Sequence, residues 1–254
     1  MERRLEQQAM VDYFHTTDCR MKFVANLLDD PVADDCGICD NCTGDAAGSA
    51  PPSVELTAAA EQFLRTRPIG FPPKKMYLDD ETGGRKRIPA EELVEEGRVL
   101  SMWGDAGWGQ LARAGKTTAG RFDDRLVDAL AELIDNWGPD PVPEWVTSVP
   151  SNRHPELVAD FAERLAARLG LPYHPVLARL VERPEQHEQQ NSAHQQANVS
   201  GVFGVVGDVP QSPVLLVDDL VDSGWTMTEI GRVLRRTGTP AVHPGALAVA
   251  TGRA

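Results

Sequence analysis

Val214-Leu215-Leu216-Val217 is a run of four apolar residues closed by Pro213 on one side and by Asp218-Asp219 on the other. A run so short and so uniformly apolar suits a strand covered on both faces, as in a parallel sheet. After the acidic pair come Leu220-Val221-Asp222-Ser223-Gly224-Trp225-Thr226, and then Met227, Ile230, Val233 and Leu234 mark one face of a helix that stops at Gly238. Strand, acidic pair, small-residue loop and helix in that order predict an α/β domain with its ligand at the strand's carboxyl end. A loop entering a helix N-terminus offers free backbone N–H groups and the positive end of the helix dipole, so it can cradle a phosphate. Gly224 allows close backbone approach and the Ser223 and Thr226 hydroxyls add donors, while Asp218 and Asp219 can accept from a ribose diol.

The residues upstream fit the same domain. Val146 to Pro150 reads as a strand that turns through Ser151-Asn152-Arg153-His154 into a helix lined by Leu157, Phe161, Leu165 and Leu169 and ended by Gly170. The stretch from Val214 to Thr226 resembles the PRPP-binding motif of type I phosphoribosyltransferases, four apolar residues followed by D-D-x-x-x-[ST]-G-x-T. The resemblance implies that Asp218 and Asp219 hold the ribose hydroxyls and that Asp222, Ser223, Gly224, Trp225 and Thr226 hold the 5′-phosphate. It also gives Asp222 the position of a base beside the acceptor, and Ser151, Asn152 and Arg153 that of the pyrophosphate loop. Mg²⁺ would arrive with PRPP.

Between these motifs, Arg183-Pro184 and the Gln-rich run to Asn198-Val199-Ser200-Gly201-Val202-Phe203 resemble the hood of ComF-like phosphoribosyltransferases. Those relatives carry an arginine shortly before the asparagine, where this chain has Gln195, Gln196 and Ala197. A cation is thereby missing where a polyanion should sit. His187 and His194 have no third ligand nearby and predict no metal.

All four cysteines, Cys19, Cys36, Cys39 and Cys42, lie in the first 42 residues. That distribution excludes a disulfide framework for the whole chain. The spacing C-x16-C-x2-C-x2-C suits one tetrahedral ion, zinc by preference, in a closed structural site without an open coordination position. An iron–sulfur cluster and a metal-free set of reduced thiols are the alternatives. Residues 2–16 read as a helix with Leu5, Ala9, Met10 and Phe14 on one face, and Arg20 to Leu28 as a second. Cys19-Arg20 in a helical pair, an acidic stretch, then Cys36-Gly37, Cys39-Asp40 and Cys42 resemble the zinc-binding module of RecQ-family DNA helicases. In that family the module follows two ATP-driven motor lobes, whose phosphate-loop motif is not in this sequence: Gly115-Lys116 lacks a glycine five residues before it. The resemblance implies the C-terminal part of a longer helicase, with those N-terminal lobes and DNA as partners.

Net charge −13 argues against a surface that grips phosphates all round. Residues 1–50 hold 4 basic and 10 acidic side chains and 121–254 hold 11 and 18, whereas 51–120 are balanced at 10 each. The middle is therefore where DNA contact is expected, through Lys74, Lys75, Arg85, Lys86 and Arg87. Gly83-Gly84 between Leu78 and Ile88 predicts a hairpin that carries the last three. By position alone the region is compatible with a winged-helix-like module. Trp103 and Trp108 on a glycine-rich loop are either stacking platforms for bases or a buried pair.

The expected architecture is multidomain: a helical zinc module at 1–46, a linker and α+β middle domain, winged-helix-like in one reading, at 47–120, and an α/β phosphoribosyltransferase-like domain with a mainly parallel sheet at 121–254. Two functions follow. In one, the region helps an attached motor engage DNA while the last domain binds PRPP or a similar phosphorylated ribose or nucleotide. In the other, the last domain is an active phosphoribosyltransferase with an unidentified acceptor base. No apolar run spans a membrane and the opening MERRLEQQAM lacks the core of a secretion signal, so the expected location is cytoplasmic, at the nucleoid in a bacterium.

Overall fold

The computed structural model of the chain describes residues 2–30, 34–44, 51–79, 82–151, 153–181 and 192–250. The chain divides into two compact units, Met1–Thr57 and Ala58–Ala254. The first holds three helices, α1 (Glu2–His15), α2 (Arg20–Leu27) and the single turn α3 (Asp40–Thr43). Helix α4 (Val54–Thr66) begins in the first unit and ends in the second.

The second unit continues with strands β1 (Ile69–Phe71), β2 (Met76–Leu78), β3 (Arg85–Arg87) and β4 (Gly97–Met102), helix α5 (Gly109–Ala114) and helix α6 (Asp124–Trp137). After these come β5 (Trp145–Ser148), α7 (Pro155–Leu169), β6 (Leu177–Arg179), α8 (Ser192–Val199), β7 (Phe203–Val205), β8 (Val214–Val221), α9 (Trp225–Arg236) and β9 (Val242–Val249). A five-stranded sheet runs in the order β1-β4-β9-β8-β5. Its last four strands are parallel and β1 is antiparallel to β4.

The central strands are apolar on both faces because both are covered. Val214 and Leu216 of β8 enter one core cluster with Met227, Ile230 and Leu234 of α9. Leu215 and Val217 enter the opposite one with Leu126 and Leu130 of α6 and with Leu157, Phe161 and Leu165 of α7. Within this second layer Phe122 meets Phe161 edge to face at 5.5 Å. Helix α6 starts at Asp123, whose carboxylate accepts from Arg125 N–H, and ends at Gly138 with φ +61°. Such capping at both ends fixes helix length without further packing.

Two expectations change here. The middle region is not a separate winged-helix-like domain between 47 and 120: β1 and β4 belong to the same sheet as β8, and 58–254 form one unit. The physical reason is that Val99 and Leu100 of β4 point to opposite faces and complete both core clusters beside β9. The β8 strand also runs on through Asp218-Asp219 to Val221, since Leu220 and Val221 still pair with Ala248 and Val249. The hairpin at Gly83-Gly84 forms as β2 against β3, with Tyr77 opposite Lys86.

Candidate functional site

In the first unit the four cysteine sulfurs lie within 4.8 Å of one another. The backbone builds this cluster: Cys19 opens α2 and its Sγ accepts from the N–H of Lys22 at 3.5 Å and of Cys36 at 3.2 Å. Cys36 Sγ accepts from the N–H groups of Ile38 and Cys39 in turn. The N–H of Cys36 foremost, and that of Lys22 next, draw the Cys19 thiol down to about 6, and the Arg20 N–H lowers Cys39. Both shifts favour the thiolate, the form that binds metal.

Around the sulfurs, Arg20 gives Nε to both carboxylate oxygens of Asp40 and Nη1 to the Tyr13 carbonyl, so the residues after Cys19 and Cys39 are tied together. Asn41 Nδ2 reaches the carbonyls of Thr16 and Asp18. Four thiolates on zinc at about 2.3 Å stand about 3.8 Å apart, and the Cys19 and Cys39 sulfurs are already 4.0 Å apart. The donor set fits a closed tetrahedral ion that holds the fold together.

In the second unit the carboxyl end of β8 meets α9 through Gly224, the N-cap residue, at φ +77°. A side chain would strain that conformation, and glycine adopts it freely. A cavity of about 210 Å³ opens there, lined by Asn198 of α8 and by Asp218, Asp222, Ser223, Gly224 and Thr226. Five of the residues expected to hold phosphoribose are thus together. Asp219 and Trp225 are not in that lining. Because β8 continues through the acidic pair, the two carboxylates alternate across the sheet. Asp218 faces the cavity, and Asp219, 6% exposed, takes Lys116 Nζ at 2.8 Å. Burial first, and the neighbouring Asp219 carboxylate second, push Asp218 well above the usual carboxylate range. The buried Trp225 borders a second cavity of about 410 Å³ instead.

Ser151 and Arg153 follow β5 at the same end of the sheet, since Ser148 pairs with Val217 and Val149 N–H reaches the Val217 carbonyl. Neither lines the 210 Å³ cavity, and Asn152 lies outside the described residues. His187 and the 183–184 pair lie outside them as well.

The basic residues expected on DNA sit beside this site. Lys74, Lys75 and Arg85 line the 410 Å³ cavity with Trp225 and Gln196. The Lys74 N–H meets Thr228 Oγ1 at 3.3 Å, and its Cε stands 4.0 Å from the place a Cβ on Gly224 would occupy. Lys86 is ion-paired with Asp79, and that contact, with the Thr82 N–H and hydroxyl after it, holds Asp79 down to about 2. Arg87 ends β3 in an exposed position.

Two residues escaped sequence reasoning. Lys116 carries no signal beyond an isolated Gly-Lys pair. Gln196 was legible only as the place of a missing arginine; buried, its amide accepts from Leu78 N–H at 2.6 Å and donates to the Leu78 carbonyl at 2.7 Å.

Residues 2–43 match the RecQ zinc-binding family and residues 159–248 match the phosphoribosyl transferase domain family. The chain therefore carries an N-terminal zinc-binding module and a phosphoribosyltransferase-type domain of α/β fold. A ribose-phosphate pyrophosphokinase of Wolinella succinogenes is 42% identical over 48 residues, 19% of this chain and 16% of that protein. Among solved structures, a purine phosphoribosyltransferase from Pyrococcus horikoshii is 22% identical over 50% of this chain and 71% of its own, with TM-score 0.32. An orotate phosphoribosyltransferase from Aeropyrum pernix is 19% identical over 79% of this chain and 83% of its own, with TM-score 0.34. Among the described residues no helix is long and apolar enough to cross a membrane.

Proposed function

We propose that this chain is the accessory region of a RecQ-like DNA helicase, in which a zinc-held module serves an ATP-driven motor and the α/β domain binds PRPP or a similar phosphorylated ribose. The carrying observation is the 210 Å³ cavity, where Asp218 faces the Gly224 turn at the N-terminus of α9. The N–H groups at the N-terminus of α9 and its dipole suit a 5′-phosphate, and Asp218 suits the ribose diol. Asp222 is the proposed base beside the acceptor, and Ser151 to Arg153 are the proposed pyrophosphate contacts. DNA engagement through Lys74, Lys75, Arg85, Lys86 and Arg87 rests on charge.

Calorimetric titration of PRPP with Mg²⁺ into the chain tests the ligand. Saturable binding abolished by Asp218→Ala/Asp219→Ala is the expected result, and no heat at millimolar PRPP would remove the phosphoribose reading. For DNA, charge reversal at the five basic residues should flatten the salt dependence of binding to forked and duplex substrates. Unchanged binding would leave that role unsupported.

A second reading, catalytic transfer of phosphoribose, is favoured by Lys74. Its Cε stands 4.0 Å from the place a Cβ on Gly224 would occupy, which brings a cationic side chain close to the loop at the start of α9. Pyrophosphate release from PRPP in the presence of candidate bases, lost in Lys74→Ala, would raise this reading over simple binding.

A further inference from the structure

Away from the β8 loop, a cavity of about 350 Å³ lies between the end of α4, strand β4 and α6. No residue lining it lines the phosphoribose cavity. Its size is that of a small-molecule pocket, a class that starts at roughly 300 Å³. Two half-buried indoles, Trp108 and Trp137, and three guanidiniums, Arg65, Arg67 and Arg98, face one carboxylate, Glu132. In a chain of net charge −13 such a basic, aromatic enclosure is out of character.

The arginines are available for a ligand. Arg65 lies over the Trp108 ring at 4.8 Å from its centre and Arg98 over Trp137 at 5.3 Å. Arg65 is exposed and has no ion pair among the described residues. Arg98 pairs with Glu96, whose side chain is 59% exposed, and a solvated pair of that kind exchanges readily. Arg67 approaches Asp105 at 3.4 Å, but Asp105 already accepts from the N–H groups of Met102, Gly107 and Gly109. Arg67 Nε is buried without an acceptor. A buried charged donor left unpaired is costly, and an anionic oxygen in the cavity removes that cost.

We propose that this cavity binds a nucleotide: the base takes an indole face, and the guanidinium it displaces joins Arg67 on the phosphate. Planar π faces stack on tryptophan whatever the base, and guanidiniums grip phosphate through paired N–H groups. The site is separate from the PRPP reading and stands or falls without it. Its nucleotide is either free or part of a strand.

Adenosine 5′-monophosphate, a 5′-phosphorylated oligothymidylate and inorganic phosphate are titrated into the full chain, followed by tryptophan fluorescence and calorimetry. Saturable binding of the mononucleotide, the oligonucleotide or both is expected, with phosphate alone at least about tenfold weaker. Which of the two binds identifies the source. The affinity should fall about tenfold or more in Arg65→Glu, an exposed position that does not threaten folding, and in Arg67→Ala, and stay unchanged in Asp218→Asn. Binding unaltered by Arg65→Glu and Arg67→Ala, binding lost in Asp218→Asn, phosphate as tight as the nucleotide, or no saturation at millimolar nucleotide would each overturn the assignment.

Discussion

In residues 1–57, Cys19 is the one buried side chain among the described residues, while Leu5, Met10, Phe14, Leu28 and Ile38 of the same unit are well exposed. In residues 58–254, two apolar clusters enclose a sheet from both sides, and Leu126, Leu130, Phe161, Leu215, Leu216, Ile230 and Leu234 are fully covered. The first unit brings distant segments together through sulfur and hydrogen bonds, the second through excluded water. A chain can therefore have one part whose stability depends on an ion and another whose stability depends on area.

Metal removal tests that contrast most severely. Structural zinc contributes on the order of 10–16 kcal/mol in small modules, so a chelator, or Cys39→Ser, should abolish hydrogen-exchange protection in 2–43. Protection in β8 and β9 should be unaffected. Survival of protection in the first unit would mean that it has a core of another kind.

Next in size, Phe161→Ala should cost about 3–5 kcal/mol through the cavity left under α7. Chemical denaturation would report the loss, and metal content should not change. Zinc loss in that variant would show that the two units are not independent.

Arg20→Ala leaves Asp40 without its partner, and losing a hydrogen bond that holds the ligand-bearing backbone in place weakens metal binding about 10–100-fold. Competition with a chromophoric chelator reads the effect, and the thermal midpoint of the second unit should not move. An unchanged affinity would reduce the Arg20–Asp40 pair to surface decoration.

The smallest effect concerns pH. Asp79 is held at about 2, below its ordinary value of 3.8, by Lys86 and Thr82. Its contribution is present above pH 3.8 and is lost as pH falls through about 2. Exchange protection in β2 and β3 should fall over that window in the wild type and be flat there in Asp79→Asn. Identical profiles would remove Asp79 from the account.

Much of the contrast was legible in the sequence. Cys36, Cys39 and Cys42 at intervals of three cluster through local backbone, and Val214 to Val217 between Pro213 and Asp218 behaves as a buried strand. What stayed hidden depends on partners far along the chain. Gly97 to Met102 contains an arginine and a serine and shows no strand alternation, yet it pairs with β9, about 147 residues later. No local pattern announces a parallel neighbour at that separation. The extension of β8 through Asp218-Asp219 was masked by charge. Lys116 lies 103 residues from the carboxylate that explains it.

Gln196 binds both backbone groups of Leu78 across 118 residues of sequence. Its amide acts as one more rung of a ladder and ties α8 to β2. Asn198, on the same helix, borders the 210 Å³ cavity, and Lys75 and Arg85 line the 410 Å³ one. Any change that moves α8 must therefore either break the two hydrogen bonds to Leu78 or carry β2 with it.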